Sequence, residues 1–174
     1  MNTLDAIFTR KSTRKFADKP ISEADIRTVL TAGMSGPSAV NARPYAFIIA
    51  TDKKVLGKMA DANGRAAEPC RHAAFAVLVC GDTDKAFKMA PDFWNIDCSI
   101  ACQNMILAAH ELGIGSVWLG TWPMEANQKN QKELFDLPEN IKPHSLIAFG
   151  YPEEGAEFPK RDLYEEEKVH YNKW

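Results

Sequence analysis

Apolar and polar positions along the 174-residue chain fall into blocks of two kinds. Leu4, Ile7 and Phe8 recur at helical spacing behind Thr3 as a candidate N-cap, so a short helix there ends at Arg10 and Lys11. Ser22 caps a clearer helix, with Asp25 at its third position and Ile26, Val29, Leu30, Gly33 and Met34 as one apolar stripe. Ser35-Gly36-Pro37 stops it. Four compact apolar runs bounded by polar residues read instead as buried strands: 46–50 (AFIIA), 73–81 (AAFAVLVCG), 116–120 (SVWLG) and 145–150 (SLIAFG). Between them, 53–62 and 125–135 read as surface helices.

Residues 93–113 are the longest predicted element, about 30 Å if helical throughout. Apolar positions surround this segment, and no lysine or arginine occurs between Met89 and Gln128. Its cover must come from most sides, from its own domain or from a second subunit. After Tyr151-Pro152 the pattern dissolves. Residues 153–174 are charged and aperiodic but carry Val169, Tyr171 and Trp174 near their end. Such a tail is ordered only where it docks, and a partner subunit is the candidate. Helices and strands mix without strict βαβ alternation, so the class is α+β or mixed α/β, not a Rossmann fold.

A chain of this length makes one domain, residues 1–174, and buries roughly 70% of its unfolded surface. A formal net charge of -2 and a pI near 6.1 argue against a protein devoted to nucleic acid. The four cysteines include no CxxC pair; buried free thiols in a reducing compartment are expected, and Cys70 has no neighbour that would activate it. The N-terminus lacks a secretory core, and Asp97, Gln103, Asn104, His110 and Glu111 interrupt the longest apolar region, so a cytoplasmic protein without a membrane span is expected.

No catalytic constellation of side chains emerges. His72, His110, His144 and His170 share no metal-ligand spacing, and each is expected at the surface or the edge of the core. Gly113-x-Gly115 follows a helix and lacks a third glycine, so it is no dinucleotide fingerprint. An enzyme of this kind needs a cofactor to carry the reaction. One local feature departs from the composition: Arg10, Lys11, Arg14 and Lys15 place four cations within six positions, beside Ser12 and Thr13. Guanidinium forks and hydroxyls suit a phosphate. Taken alone, however, such a cluster is more often a solvated helix end.

Five stretches in order change that balance: RKSTRKF; PSAVNARPY; the long helix with Asp97, Ala101 and Asn104; GIGSVWLG; and FGYP followed by FPKRD and VHYNKW. Together they resemble the nitroreductase family of FMN-dependent oxidoreductases, in its short form, along essentially the whole chain. The resemblance implies a three-layer sandwich, a central mixed but mainly antiparallel sheet flanked by helices. It also implies an intertwined homodimer with FMN sites built from both chains, and a tail over 153–174 docking on the partner. NAD(P)H and a small acceptor, a nitroaromatic or a quinone, are the implied substrates of a ping-pong reaction. Carried onto matching positions, Arg10, Lys11 and Ser12 hold the FMN phosphate and ribityl hydroxyls, Arg14 reaches the pyrimidine edge, and Lys160 and Arg161 complete the phosphate clamp. Ser38 and Asn41 hydrogen-bond the ring from the other chain, with Pro37, Ala39 and Arg43 in the same cofactor-binding set. The backbone at Leu119 and Gly120 faces flavin N5.

Each of these residues also has a plain reading. Ser38 and Asn41 are ordinary turn formers, Gly120 a strand end, and Lys160 and Arg161 part of a solvated tail. Two positions depart from the family pattern: Arg43 where glutamine is common, and Tyr45 where tryptophan is. The long insertions of larger members are missing, which leaves a more open site. Two alternatives stand beside the reductase. One is an FMN protein of the same fold with a specialised reaction, dehalogenation or flavin processing, or with little turnover. The other is a small regulatory module whose basic cluster binds nucleic acid.

Overall fold

A computed structural model describes residues 2–174 and places them in three layers. The central layer is a sheet of four strands, β1 (Tyr45–Ala50), β2 (Phe75–Asp82), β3 (Gly115–Gly120) and β4 (Ile141–Gly150), in the order β1-β2-β4-β3, every pair antiparallel. The mixed character expected of the sheet is confined to one isolated parallel bridge, Ser12 to Ser116.

Strand periodicity divides the core. Phe75, Val77 and Val79 of β2 point to one side and Ala76, Leu78 and Cys80 to the other. The first side is covered by α2 (Glu23–Met34) and α4 (Phe93–Glu111); stacked Phe75 and Phe149, Val29, Cys98, Cys102 and Met105 fill it. The second is covered by α3 (Lys53–Asn63) and α5 (Glu125–Leu134) over Leu56, Met59, Leu146 and Ala148. Both faces of β2, β3 and β4 are therefore largely buried, while β1 at the sheet edge is half-buried, and the strand runs are continuously apolar.

Helix α2 lies close on α4 because Gly33 within it and Gly36 just after it face that helix. A Cβ on Gly33 would sit 2.8 Å from Met105, and one on Gly36 2.7 Å from Ile100. The Asn104 side chain completes the joint, donating to the Ala32 carbonyl at 3.2 Å.

Several boundaries differ from those the pattern predicts. Helix α1 (Thr3–Thr9) is capped by Asn2, not Thr3: the Asn2 side chain accepts from the Asp5 amide at 2.9 Å. Strand β4 begins at Ile141, because Pro143 and His144 break the apolar run without ending the strand. Register shifts there: Val79 opposes Ser145, Cys80 opposes Pro143, and His144 is the extra residue of a bulge. His110 and His144 are buried within the fold.

Helix α4 is covered on one face only. Phe93 and Ile96 remain exposed on the other, Ile96 at 52%, with Ile100 and Leu107 half-buried in line with them. Among the described residues no helix is long and apolar enough to cross a membrane.

Candidate functional site

The basic stretch is not helical. After α1 the chain runs extended along the sheet edge: the Thr13 amide donates to the Ser116 carbonyl at 2.8 Å and the Ala17 amide to that of Tyr151 at 2.8 Å. Two glycines admit it. A Cβ on Gly115 would lie 2.6 Å from Thr13 Oγ1, and one on Gly150 2.7 Å from the Phe16 ring. With Thr13 and Phe16 buried against these glycines, Lys11, Ser12, Arg14 and Lys15 are turned outward.

The tail returns to this stretch. The Arg161 amide donates to the Phe8 carbonyl at 3.2 Å, and its guanidinium donates to the carbonyl of Arg10. Lys160 lies over the Phe8 ring at 5.2 Å, and Lys11 over Phe158 at 4.8 Å. Arg10, Lys160 and Arg161 line one hollow of about 920 Å³ between α1, α4 and the tail. Lys11, Ser12, Arg14 and Lys15 line a second, of about 330 Å³, with Glu153 and Glu154 on its rim.

Among the described residues, none of these six cations has a carboxylate within ion-pair distance, although the chain carries 23 acidic residues. The Arg161 Nε is also buried without an acceptor. Unpaired buried donors are costly, and grouped cations repel, so an anion here would relieve both. His110 lies beside this stretch, between α1 and the tail. Its Nε2 meets Thr9 Oγ1 at 2.8 Å and its ring packs on Phe158. Burial, then the nearby Arg10 charge, lower its pKa below the ordinary histidine value, which favours the neutral ring.

The other predicted residues lie elsewhere. Pro37, Ser38 and Ala39 sit against the N-terminal half of α4, where Phe93, Ile96, Asp97 and Ile100 share a hollow of about 310 Å³ with them. Asn41 and Arg43 continue that loop, and among the described residues the Arg43 side chain is tied only to Asn41, its Nε donating to Oδ1 at 3.2 Å. Leu119 is buried, while Gly120 is exposed at the end of β3. The predicted residues thus gather in three places within one chain.

Sequence reasoning missed Asn63. Its Nδ2 donates to the Gly120 carbonyl at 3.1 Å and its Oδ1 accepts from Thr121 at 2.7 Å, so this buried amide fixes the strand end assigned to flavin N5. An asparagine before Gly64 reads as a helix end, which hid it. Also unforeseen is the setting of His144, ringed by Trp94, Trp118 and Trp122 at 5.8 to 6.4 Å. Burial drives its pKa down to about 4 against a weaker opposing contact with Asn95.

The family model described as the nitroreductase family matches residues 7–151, nearly the whole of the sheet, its helices and the basic stretch. The chain belongs to the nitroreductase family. Within it, a Methanothermobacter thermautotrophicus protein, provisionally named NADH dehydrogenase/NAD(P)H nitroreductase, is 42% identical over all of this chain and 88% of its own. A crystal structure under the same provisional name, from Bacteroides thetaiotaomicron, superimposes with a TM-score of 0.90 at 38% identity, covering 99% of this chain and 98% of that one. An FMN-dependent nitroreductase from Clostridium difficile gives 0.89 at 25% identity, over 98% and 99%.

Proposed function

We propose that this chain is an FMN-dependent oxidoreductase that takes hydride from NAD(P)H and passes it to a small acceptor, such as a nitroaromatic or a quinone. The observation that carries the reading is the set of unpaired cations around Arg161, whose buried Nε has no partner within the protein. A phosphate supplies acceptors of the right kind. The names of the Methanothermobacter relative and the Clostridium difficile structure support the nicotinamide and the FMN respectively.

Bound there, FMN supplies the two-electron centre at which hydride is received and returned, so nicotinamide and acceptor use one place in turn. The protein's part is holding and tuning. Arg10, Lys11, Lys160 and Arg161 hold the phosphate and Ser12 a ribityl hydroxyl. Arg14 stands at the pyrimidine edge, where its charge favours the negative charge that reduction brings. Ser38 and Asn41, with Pro37, Ala39 and Arg43 beside them, meet the ring. The backbone at Leu119 and Gly120, braced by Asn63, meets its reactive edge.

The same layout supports a homodimer. The clamp abuts the C-terminal half of α4 at Gln103 and His110, and the loop abuts the N-terminal half, so loop and clamp of different chains share a site. The uncovered face with Phe93 and Ile96 is the surface for that partner, and the far end of the tail, whose Trp174 is 98% exposed, docks on it too. The four unpaired cysteines suit a reducing compartment, and on that ground we place the protein in the cytoplasm.

Purified protein should show the absorbance bands of an oxidised flavin and bleach anaerobically on adding NADH or NADPH. Colourless protein that takes up no added FMN refutes the reading.

A further inference from the structure

The loop after α2 is held in a costly shape. Val40 (φ 46°), Asn41 (φ 58°) and Arg43 (φ 49°) all occupy the left-handed region without being glycine, where a Cβ crowds the backbone. Inside the loop, Ser38 Oγ accepts from the Arg43 amide at 3.0 Å, and the Ser38 and Ala39 carbonyls accept from the Asn41 and Ala42 amides at 2.9 Å. These bonds are local and would travel with the loop if it moved. Among the described residues, the hydrogen bond that ties 38–43 to another element runs from the Ala39 amide to Asp97 Oδ1 in α4, at 2.9 Å.

Asp97 is 3% exposed, and its second oxygen is buried with no partner. A carboxylate so placed is expensive for the fold, and its buried neighbours in α4, Cys98 and Ala101, are apolar. What the carboxylate provides is one strong acceptor, aimed at the first turn of a strained loop.

We propose that Asp97 is a positioning residue for the flavin ring, acting through the Ala39 amide to hold Ser38 and Asn41 in their binding shape. The inference rests on the FMN reading above.

Both ends of the bond can be cut separately. Asp97→Ala removes the acceptor. Ala39→Pro removes the donor and leaves Asp97 in place; proline suits the first position of a helical turn after an extended residue, and Ser38 is extended (φ -140°, ψ 158°). The FMN Kd, the reduction potential of the bound flavin and the unfolding midpoint are measured for the parent, both single variants, the double variant and Asp97→Asn. Each single variant should weaken FMN binding about 10- to 100-fold and shift the potential. The double variant should bind within about threefold of the weaker single one. Asp97→Asn, whose amide oxygen still accepts from Ala39, should recover most of the affinity.

A merely structural carboxylate would lower the midpoint and leave Kd and potential in place. The inference is overturned if both single variants bind FMN within about twofold of the parent, or if their losses multiply in the double variant. A parent that takes up no FMN overturns the reading beneath it as well.

Discussion

The guanidinium of Arg161 donates to the backbone carbonyl of Arg10, closing the tail on the segment that leaves the first helix. Around that bond the two termini exchange cations and rings, Lys160 over Phe8 and Lys11 over Phe158. The closure gathers Arg10, Lys160 and Arg161 on one hollow, with Asp162 also on its lining but, among the described residues, no carboxylate within ion-pair distance of the three. Mutual repulsion opposes this grouping until an anion binds.

Arg161→Ala should therefore weaken FMN binding about 10- to 100-fold, the range of a charge-assisted hydrogen bond. Riboflavin, which lacks the phosphate, should bind parent and variant alike. Fluorescence titration of both flavins reads the difference. An equal loss for the two would mean that Arg161 serves the ring or the fold instead of the phosphate.

The approach of the basic stretch to the sheet depends on Gly115. A Cβ there falls 2.6 to 2.7 Å from three atoms of buried Thr13, whose amide is fixed to Ser116. Gly115→Ala should cost about 1–3 kcal/mol, the usual range for overpacking. It should also reduce FMN affinity by displacing Ser12 and Arg14. Urea unfolding of the variant checks the first effect and flavin titration the second; an unchanged urea midpoint would show that Thr13 gives way freely.

Much of the scaffold is legible along the chain because both faces of the sheet are largely buried. The strand runs at Ala46, Val77, Val117 and Ile147 are continuously apolar, and Ser22 announces its helix by capping it. Legibility fails where the backbone departs from propensity. Pro143 and His144 look like a break, yet a bulge carries the strand through them. Left-handed φ at Val40 runs against the preference of a β-branched residue, so the shape of the PSAVN loop cannot be read from its letters. Asn63 and Asp97 act by touching residues far away in sequence, 57 positions to Gly120 and 58 to Ala39. Periodicity carries no trace of such contacts.

Acid should destabilise the fold through His144. Its pKa is lowered to about 4 in the native state from an ordinary value of 6.5, so the unfolded chain binds the proton more readily between those values. The stability this neutral side chain contributes is complete above pH 6.5 and is lost as pH falls toward 4, on the order of 3 kcal/mol at about 1.4 per pH unit. His110, also lowered, adds in the same direction. Urea midpoints measured across this window should fall with pH in the parent and less steeply in His144→Gln. Parallel slopes would assign the acid sensitivity to other groups.

The thiols should be silent in the native state. Cys70, Cys80, Cys98 and Cys102 are all free and buried, and burial pushes Cys70, Cys80 and Cys102 up to about 12, with Cys98 raised as well. A thiol reagent at neutral pH should titrate none of them until denaturant is added, and then all four. Rapid labelling of native protein would reveal local opening on the sheet faces.

Ile96 tests the uncovered face of α4. At 52% exposed in the single chain, it makes little contribution to the protomer's own core, so Ile96→Asp should leave one chain's packing nearly unchanged. In a subunit interface the same change buries an unpaired carboxylate in each copy and opposes association strongly. Sedimentation equilibrium should show the parent at twice the 19.4 kDa chain mass and the variant at or near that of one chain. On the proposed layout, in which loop and clamp of different chains share one site, the variant should also lose its FMN. Retention of FMN by a monomeric variant would mean that one chain makes a complete site, and a parent sedimenting as a single chain would remove the dimer altogether.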